Sequence, residues 1–206
     1  MAENDTDEVP SFFEQELGLP TGFFTKLLHE DDWSFIIKLH AFFEGVITEL
    51  LTKSLERDHL RGVLAQLPIS DKRIGKMAFV RELSLLEEGP QKFISDLSDL
   101  RNKLVHNVRN VQFDLKEHVA KLDKHQRKNF KNNLGFAFEI IDEGEEKRED
   151  FMAESPKTII LISSYQCLSR IYLRRQKLRS KQIEDALARV IYERSQAGVE
   201  RDSESS

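Results

Sequence analysis

Apolar residues recur at three- and four-residue steps along most of this chain, the spacing of helices that bury one face. The clearest stripe is Phe35, Ile36, Leu39, Phe42, Phe43, Val46, Ile47, Leu50 and Leu51, which predicts a long helix opened by Asp32. Two short helices are expected before it, over 12–17 with Ser11 as cap and over 22–29 with Thr21 as cap. A further segment, about 56–67, stops at Pro68. Ser70 or Asp71 is then placed to cap a helix whose inner face carries Ile74, Met77, Ala78, Val80, Leu83 and Leu86.

Gly89-Pro90 marks a break, with Pro90 suited to a first helical position. The next stripe is Phe93, Ile94, Leu97, Leu100, Leu104 and Val108, a helix ending near His106 or Val108. The stretch 109–113 loses the period and reads as a loop. Helices over 115–122 and 126–140 follow, then an acidic linker at about 142–154. Ser155-Pro156 starts a final long helix or helix pair reaching about Arg194. No segment alternates cleanly and none repeats, so the expected class is an all-α helical bundle.

Composition narrows the picture. Among 206 residues there are 9 glycines and 5 prolines, few for a fold built of many turns. Residues 1–10 and 199–206 are rich in Asp, Glu and Ser and read as disordered tails around one domain at 11–198. The single cysteine, Cys167, excludes a disulfide within the chain and reads as a small buried apolar residue. The N-terminus lacks the basic and apolar regions of a signal peptide, and the run 158–162 is too short to cross a bilayer. A soluble cytoplasmic protein is expected. A net charge of -5 argues against indiscriminate attraction to nucleic acid.

The chemistry concentrates in Arg101-Asn102-Lys103-Leu104-Val105-His106. A permanent cation, an amide and an imidazole stand within six residues, the groups needed to hold a phosphodiester and move protons around it. On a helix, Asn102 and His106 lie about 40° apart, and Ser95 and Asp99 join them in one polar seam. Arg101 falls about 140° from His106, on the apolar side near Leu97 and Leu104. A guanidinium there needs a carboxylate or phosphate partner. The two side chains meet only if the helix ends or bends near Val105, or if a two-fold dimer brings a second copy into the same cleft.

This segment resembles the R-N-x-x-x-H form of the signature of HEPN domains, an all-helical superfamily in which many members cut RNA or bind nucleotides. His40-Ala41-Phe42-Phe43-Glu44-Gly45 with Thr48-Glu49-Leu50-Leu51 is similar to the first core helix of its mannitol-operon-repressor-like branch. Residues 76–88 and the motif helix resemble that branch's next two helices. The resemblance covers roughly residues 32–110. It implies a HEPN-like bundle with extra N- and C-terminal helices, and a homodimer with both motifs at the interface. It also implies metal-independent RNA cleavage, in a toxin, defence or stress setting. His106 would serve as general base or acid. Arg101 would hold the phosphate. Asn102 would orient the phosphate or the imidazole, and Asp99 would support the histidine tautomer. The alternative is a non-catalytic, mannitol-repressor-like transcriptional regulator acting through protein partners. No helix-turn-helix favours direct DNA reading.

Two basic groups could track a nucleic-acid backbone. One is Lys116, Lys121, Lys124, Arg127, Lys128 and Lys131, interspersed with acids. The other is Arg170, Arg174, Arg175, Lys177, Arg179 and Lys181, with none. A solvated helix face is the plainer reading of both. Tyr165 and Tyr172 are expected in the core. Trp33 reads as a packing residue. His118 and His125 lack completing ligands, so no metal site and no cofactor are expected.

Overall fold

Among the described residues the chain forms helices joined by short turns, with no strand. In order they are α1 (Glu8–Leu17), α2 (Phe23–His29), α3 (Asp32–Ser54), α4 (Arg61–Gln66), α5 (Lys76–Glu82), α6 (Glu88–Val105), α7 (Leu115–Ala120), α8 (Lys124–Asn133), α9 (Glu145–Glu154) and α10 (Pro156–Glu204). Short 3-10 turns, Asp58–Leu60 and Val108–Gln112, precede α4 and follow α6. The computed structural model describes residues 8–71, 73–137 and 145–204, the side chains of 145–146 and 193–204 excepted. The expected all-α bundle is the observed architecture.

Three helices make its centre. The stripe of α3 packs against both α6 and α10, and α6 and α10 touch each other. Phe35, Ile36, Leu39, Phe43, Ile47, Leu50 and Leu51 are fully enclosed. From α6 come Phe93, Ile94, Leu97 and Leu104, and from α10 come Ile159, Ile160, Leu168 and Ile171. Phe43 meets Phe93 edge-on at 5.4 Å between ring centres, the favoured geometry for aromatic pairs. The shorter helices lean on this centre: α4 and α5 on α3, α8 on α6, α7 and α9 on α10. Cys167 is wholly buried, and burial pushes its thiol pKa up. Tyr165 and Tyr172 pack against the core, as does Trp33.

Carboxylates fix how the helices join. Asp31, not Asp32, caps α3 by accepting from the Ser34 amide at 2.9 Å. Asp32 instead accepts from the Leu115 amide at 2.7 Å and pairs with Lys157 Nζ at 2.6 Å. One side chain thus ties together the starts of α3, α7 and α10. Glu14, only 4% exposed, accepts from the Gly22 amide at 2.7 Å and the Phe24 amide at 3.1 Å. The N-cap residue of α2 is Gly22 rather than Thr21, in a left-handed conformation (φ 76°) that glycine adopts without strain, and Glu14 supplies the acceptor that Gly22 lacks.

Several boundaries differ from the pattern-based reading. Helix α1 starts at Glu8, so the N-terminal tail is helical from there; residues 1–7 lie outside the described residues. The segment at 56–67 is shorter because Glu56 turns left-handed (φ 54°) before the 3-10 turn. Asp71 closes a local turn on the Arg73 and Ile74 amides rather than capping α5. Ile74 and Leu83 are exposed, whereas Leu86 is buried as expected and its neighbour Leu85 enters the core with it. Pro90 sits at the third position of α6, whose first residue is Glu88. Of the stretch 109–113, read as a loop, residues 109–112 lie in the 3-10 turn and Phe113 follows in an extended conformation. Asp123 and Gln126 form a reciprocal capping box, which opens α8 at Lys124. Helix α8 ends at Asn133, and 138–140 of the longer expected helix lie outside the described residues.

The acidic linker is helical from Glu145 onward, its residues 142–144 being outside the described set. The last helix is one unbroken α10 running to Glu204, into the expected tail, of which 205–206 are not described. Its outer part presents Ile183, Leu187, Val190 and Ile191 to solvent. No helix among the described residues is long and apolar enough to cross a membrane.

The Glu14 clamp generates a stability prediction. Glu14→Ala leaves two amides, one of them buried, without their acceptor, and is expected to cost about 1–3 kcal/mol. Urea denaturation of the two proteins measures it.

Candidate functional site

Helix α6 carries the motif, and its buried face decides which way each member points. Leu97, Leu100 and Leu104 lock into the centre, so Arg101 is drawn half-way inward beside them. There it meets no carboxylate. Its Nη1 donates to Asn102 Oδ1 at 3.1 Å, and it makes no ion pair among the described residues. Asn102 thus holds the guanidinium rather than the imidazole.

Arg101 lies near enough to act on the charge of a buried polar group that sequence reasoning missed. His40 on α3 is buried, and its Nε2 lies 3.3 Å from Ser98 Oγ on α6. Its pKa is lowered, first by burial, then by Arg101 and Lys76, against the opposing pull of Glu44. Lys76, 1% exposed, donates from Nζ to Glu44 Oε1 at 3.0 Å and to the Ala65 carbonyl at 3.2 Å. The buried ammonium is tolerated because it is hydrogen-bonded to two acceptors, one of them the carboxylate of Glu44, which stays 37% exposed. The hydrophobic stripes of α3 and α5 gave no sign of it, since period alone cannot mark a buried lysine.

His106 ends α6 as its C-terminal cap. Its backbone keeps right-handed helical angles (φ -78°, ψ -7°), so its Cβ continues the helical phase, about 140° from Arg101. The release that a helix end at Val105 was expected to provide does not alter that phase. The imidazole is exposed and makes no hydrogen bond among the described residues. Within one chain, Arg101 and His106 therefore open onto different sides of the same helix end.

Asp99 stands two turns before His106, a rise of about 10 Å, and no hydrogen bond links them. It lines a separate cleft of about 210 Å3 between α6, α7 and α8, shared with Asp96, Lys103, His118, Gln126 and Asn129. Asp96 accepts from Asn133 Nδ2 at 2.7 Å. Its pKa is raised, mainly by burial and further by Asp99, with Asn133 opposing. His118 has a lowered pKa, from burial first and then from Lys103 and Lys121, and its ring lies 5.4 Å from that of Phe113. His118 and His125 fall on different helices because the Asp123 cap starts α8 between them. Among the described residues no three His, Cys, Asp or Glu side chains gather as a metal-binding group.

The basic run of α10 does not form one track. Arg170, Arg174 and Lys177 line a cleft against the turn before α6. Arg175 and Arg179 lie on the other flank, beside Glu16, Lys53 and Gln182. Lys181 is exposed further out. The helical period separates the two sets by more than a quarter turn. In the other basic group, Lys121 pairs with Glu117 at 2.9 Å and Arg127 donates to the Val119 carbonyl at 3.4 Å. No family model, curated protein or solved structure matches the chain.

The lowered pKa of His40 predicts how stability depends on pH. The unfolded imidazole takes a proton near pH 6.5, its ordinary value, while the folded one resists. Below that pH the unfolded chain binds more protons, so stability falls. The contribution is complete above about pH 6.5 and is lost between there and the depressed folded value. His40→Gln is expected to lose less melting temperature than wild type on going from about pH 7.5 to about pH 5.5. Parallel curves for the two proteins would contradict this.

Proposed function

We propose that this chain is a HEPN-type endoribonuclease working as a two-fold dimer, with Arg101, Asn102 and His106 at its site. One observation carries the reading: α6 stops at Val105, and its end carries an exposed imidazole on one side and a half-buried guanidinium on another, neither of them paired with a carboxylate among the described residues. A cation so placed gains most from an incoming phosphate. The roughly 140° between the two side chains favours a site shared by two subunits, each histidine working beside the other chain's arginine.

The chemistry follows from the groups. The ribose 2′-hydroxyl attacks the adjacent phosphorus while an imidazole accepts its proton. The phosphorus–5′-oxygen bond breaks, and an imidazolium returns a proton to that oxygen. The products are a 2′,3′-cyclic phosphate and a 5′-hydroxyl end. Arg101 offsets charge growing on the phosphoryl oxygens, and Asn102 keeps the guanidinium aimed. DNA lacks the nucleophile and resists.

A second reading, the non-catalytic regulator acting through protein partners, has its own support. Arg101 donates to Asn102, and no side chain among the described residues orients His106. A fluorescent RNA oligonucleotide and its DNA counterpart distinguish the two readings. His106→Ala is expected to lower RNA cleavage by about 10²- to 10⁴-fold. Its circular dichroism and melting temperature should match wild type, because the side chain is exposed. Arg101→Lys keeps the charge but loses the forked donors, and is expected to impair cleavage as well. Equal decay of RNA by wild type and His106→Ala would leave the regulator.

A further inference from the structure

Among the described residues, Arg174 holds the one cationic side-chain N–H that is buried without a partner. It is half-buried on α10, and its Nε–H is covered by protein yet meets no acceptor. The guanidinium makes no hydrogen bond or ion pair among the described residues. Arginine does not escape such a position by losing its proton. An enclosed donor without a partner carries a cost that an incoming anion removes.

That side chain lines a cleft of about 200 Å3 between α10 and the turn linking α5 to α6. Leu85, Leu86 and Leu173 contribute its apolar walls. Arg170 and Lys177 stand one helical turn to either side of Arg174, so three cations address the same space. Ser84 lines the cleft opposite them, and its side chain makes no hydrogen bond among the described residues. One carboxylate competes: Glu87 Oε2 lies 3.6 Å from Arg170 Nη1. Glu87 is 73% exposed, and so open an ion pair is held weakly.

The balance of charge selects an anion, and the size selects a small one. The volume falls below the range of about 300–1,000 Å3 typical of sites that enclose whole drug-sized ligands. A tetrahedral phosphate group suits both the space and the forked donors of two arginines. Glu87 precedes the first residue of α6, at the end of that helix opposite to Arg101 and about 20 Å from it along the axis. This cleft is therefore separate from the motif.

We propose that Arg170, Arg174, Lys177 and Ser84 form a phosphate-binding site, filled by a free phosphate ester or by a backbone phosphate of an RNA strand. The proposal stands whether or not the chain cuts RNA. The test follows the arginine Nε–H signals of the full chain by NMR at constant ionic strength, with Arg174→Lys identifying the Arg174 signal. Inorganic phosphate is expected to shift that signal saturably where chloride does not. Arg174→Gln is expected to weaken phosphate binding by about tenfold or more, and Glu87→Gln to tighten it. If an oligouridine displaces the phosphate and itself binds about tenfold more weakly to Arg174→Gln, the site serves an RNA strand. If oligouridine binds wild type and Arg174→Gln alike while phosphate does not, it serves a free ester. An Arg174 signal unmoved by either probe, or moved equally by chloride, overturns the site.

Discussion

The seam between α3 and α6 governs the rest of this bundle. Phe43 and Phe93 meet there edge to face, and fully buried leucines and isoleucines of both helices close around them. Once α6 is pinned along that line, its rotation about its own axis is no longer free. Leu97, Leu100 and Leu104 must face inward, so Arg101 is carried inward with them, while Asp99 and His106 are turned out. The placement of every chemically active group on α6 is a by-product of apolar packing. The same seam holds polar atoms, His40 with Ser98, and Lys76 with Glu44 close by. Such groups are tolerated in a dense interior only in satisfied arrangements, which restricts how the two helices slide past each other.

Much of this was legible in the chain. On α3 and α6 the stripes named nearly every apolar residue that became fully buried, because a 3.6-residue period is a direct trace of one-sided burial, but Val108, beyond the end of α6, is exposed. Pro68 and the Ser155-Pro156 pair marked real boundaries, since proline restricts the backbone wherever it stands. Caps were less readable. Asp31 and Asp32 are adjacent and chemically alike, and only the distant Leu115 amide and Lys157 ammonium decide which one leaves the cap. Glu14 caps a helix eight residues away, beyond the reach of any local pattern.

The candidate site divides along the same line. Helical geometry alone gave the wide angle between Arg101 and His106, and the structure keeps it. The partner of Arg101 was sought on a neighbouring helix as an acid, and it is the adjacent Asn102. The cleft of Asp96, Asp99 and His118 assembles residues of α6 and α7 that no sequence spacing relates. The division of the α10 cations into two flanks was implicit in the period. What stood outside the sequence was the turn before α6 that converts one flank into a walled cleft.

Cys167 has a practical implication. It is the lone thiol of the chain and lies sealed inside α10's packed face, and alkylating reagents attack the thiolate form. Neither access nor ionisation is available until that face parts from α3 and α6. The rate at which a maleimide labels the protein therefore clocks the opening of the central helices, without any introduced probe. The bundle carries its own reporter of how often it breathes.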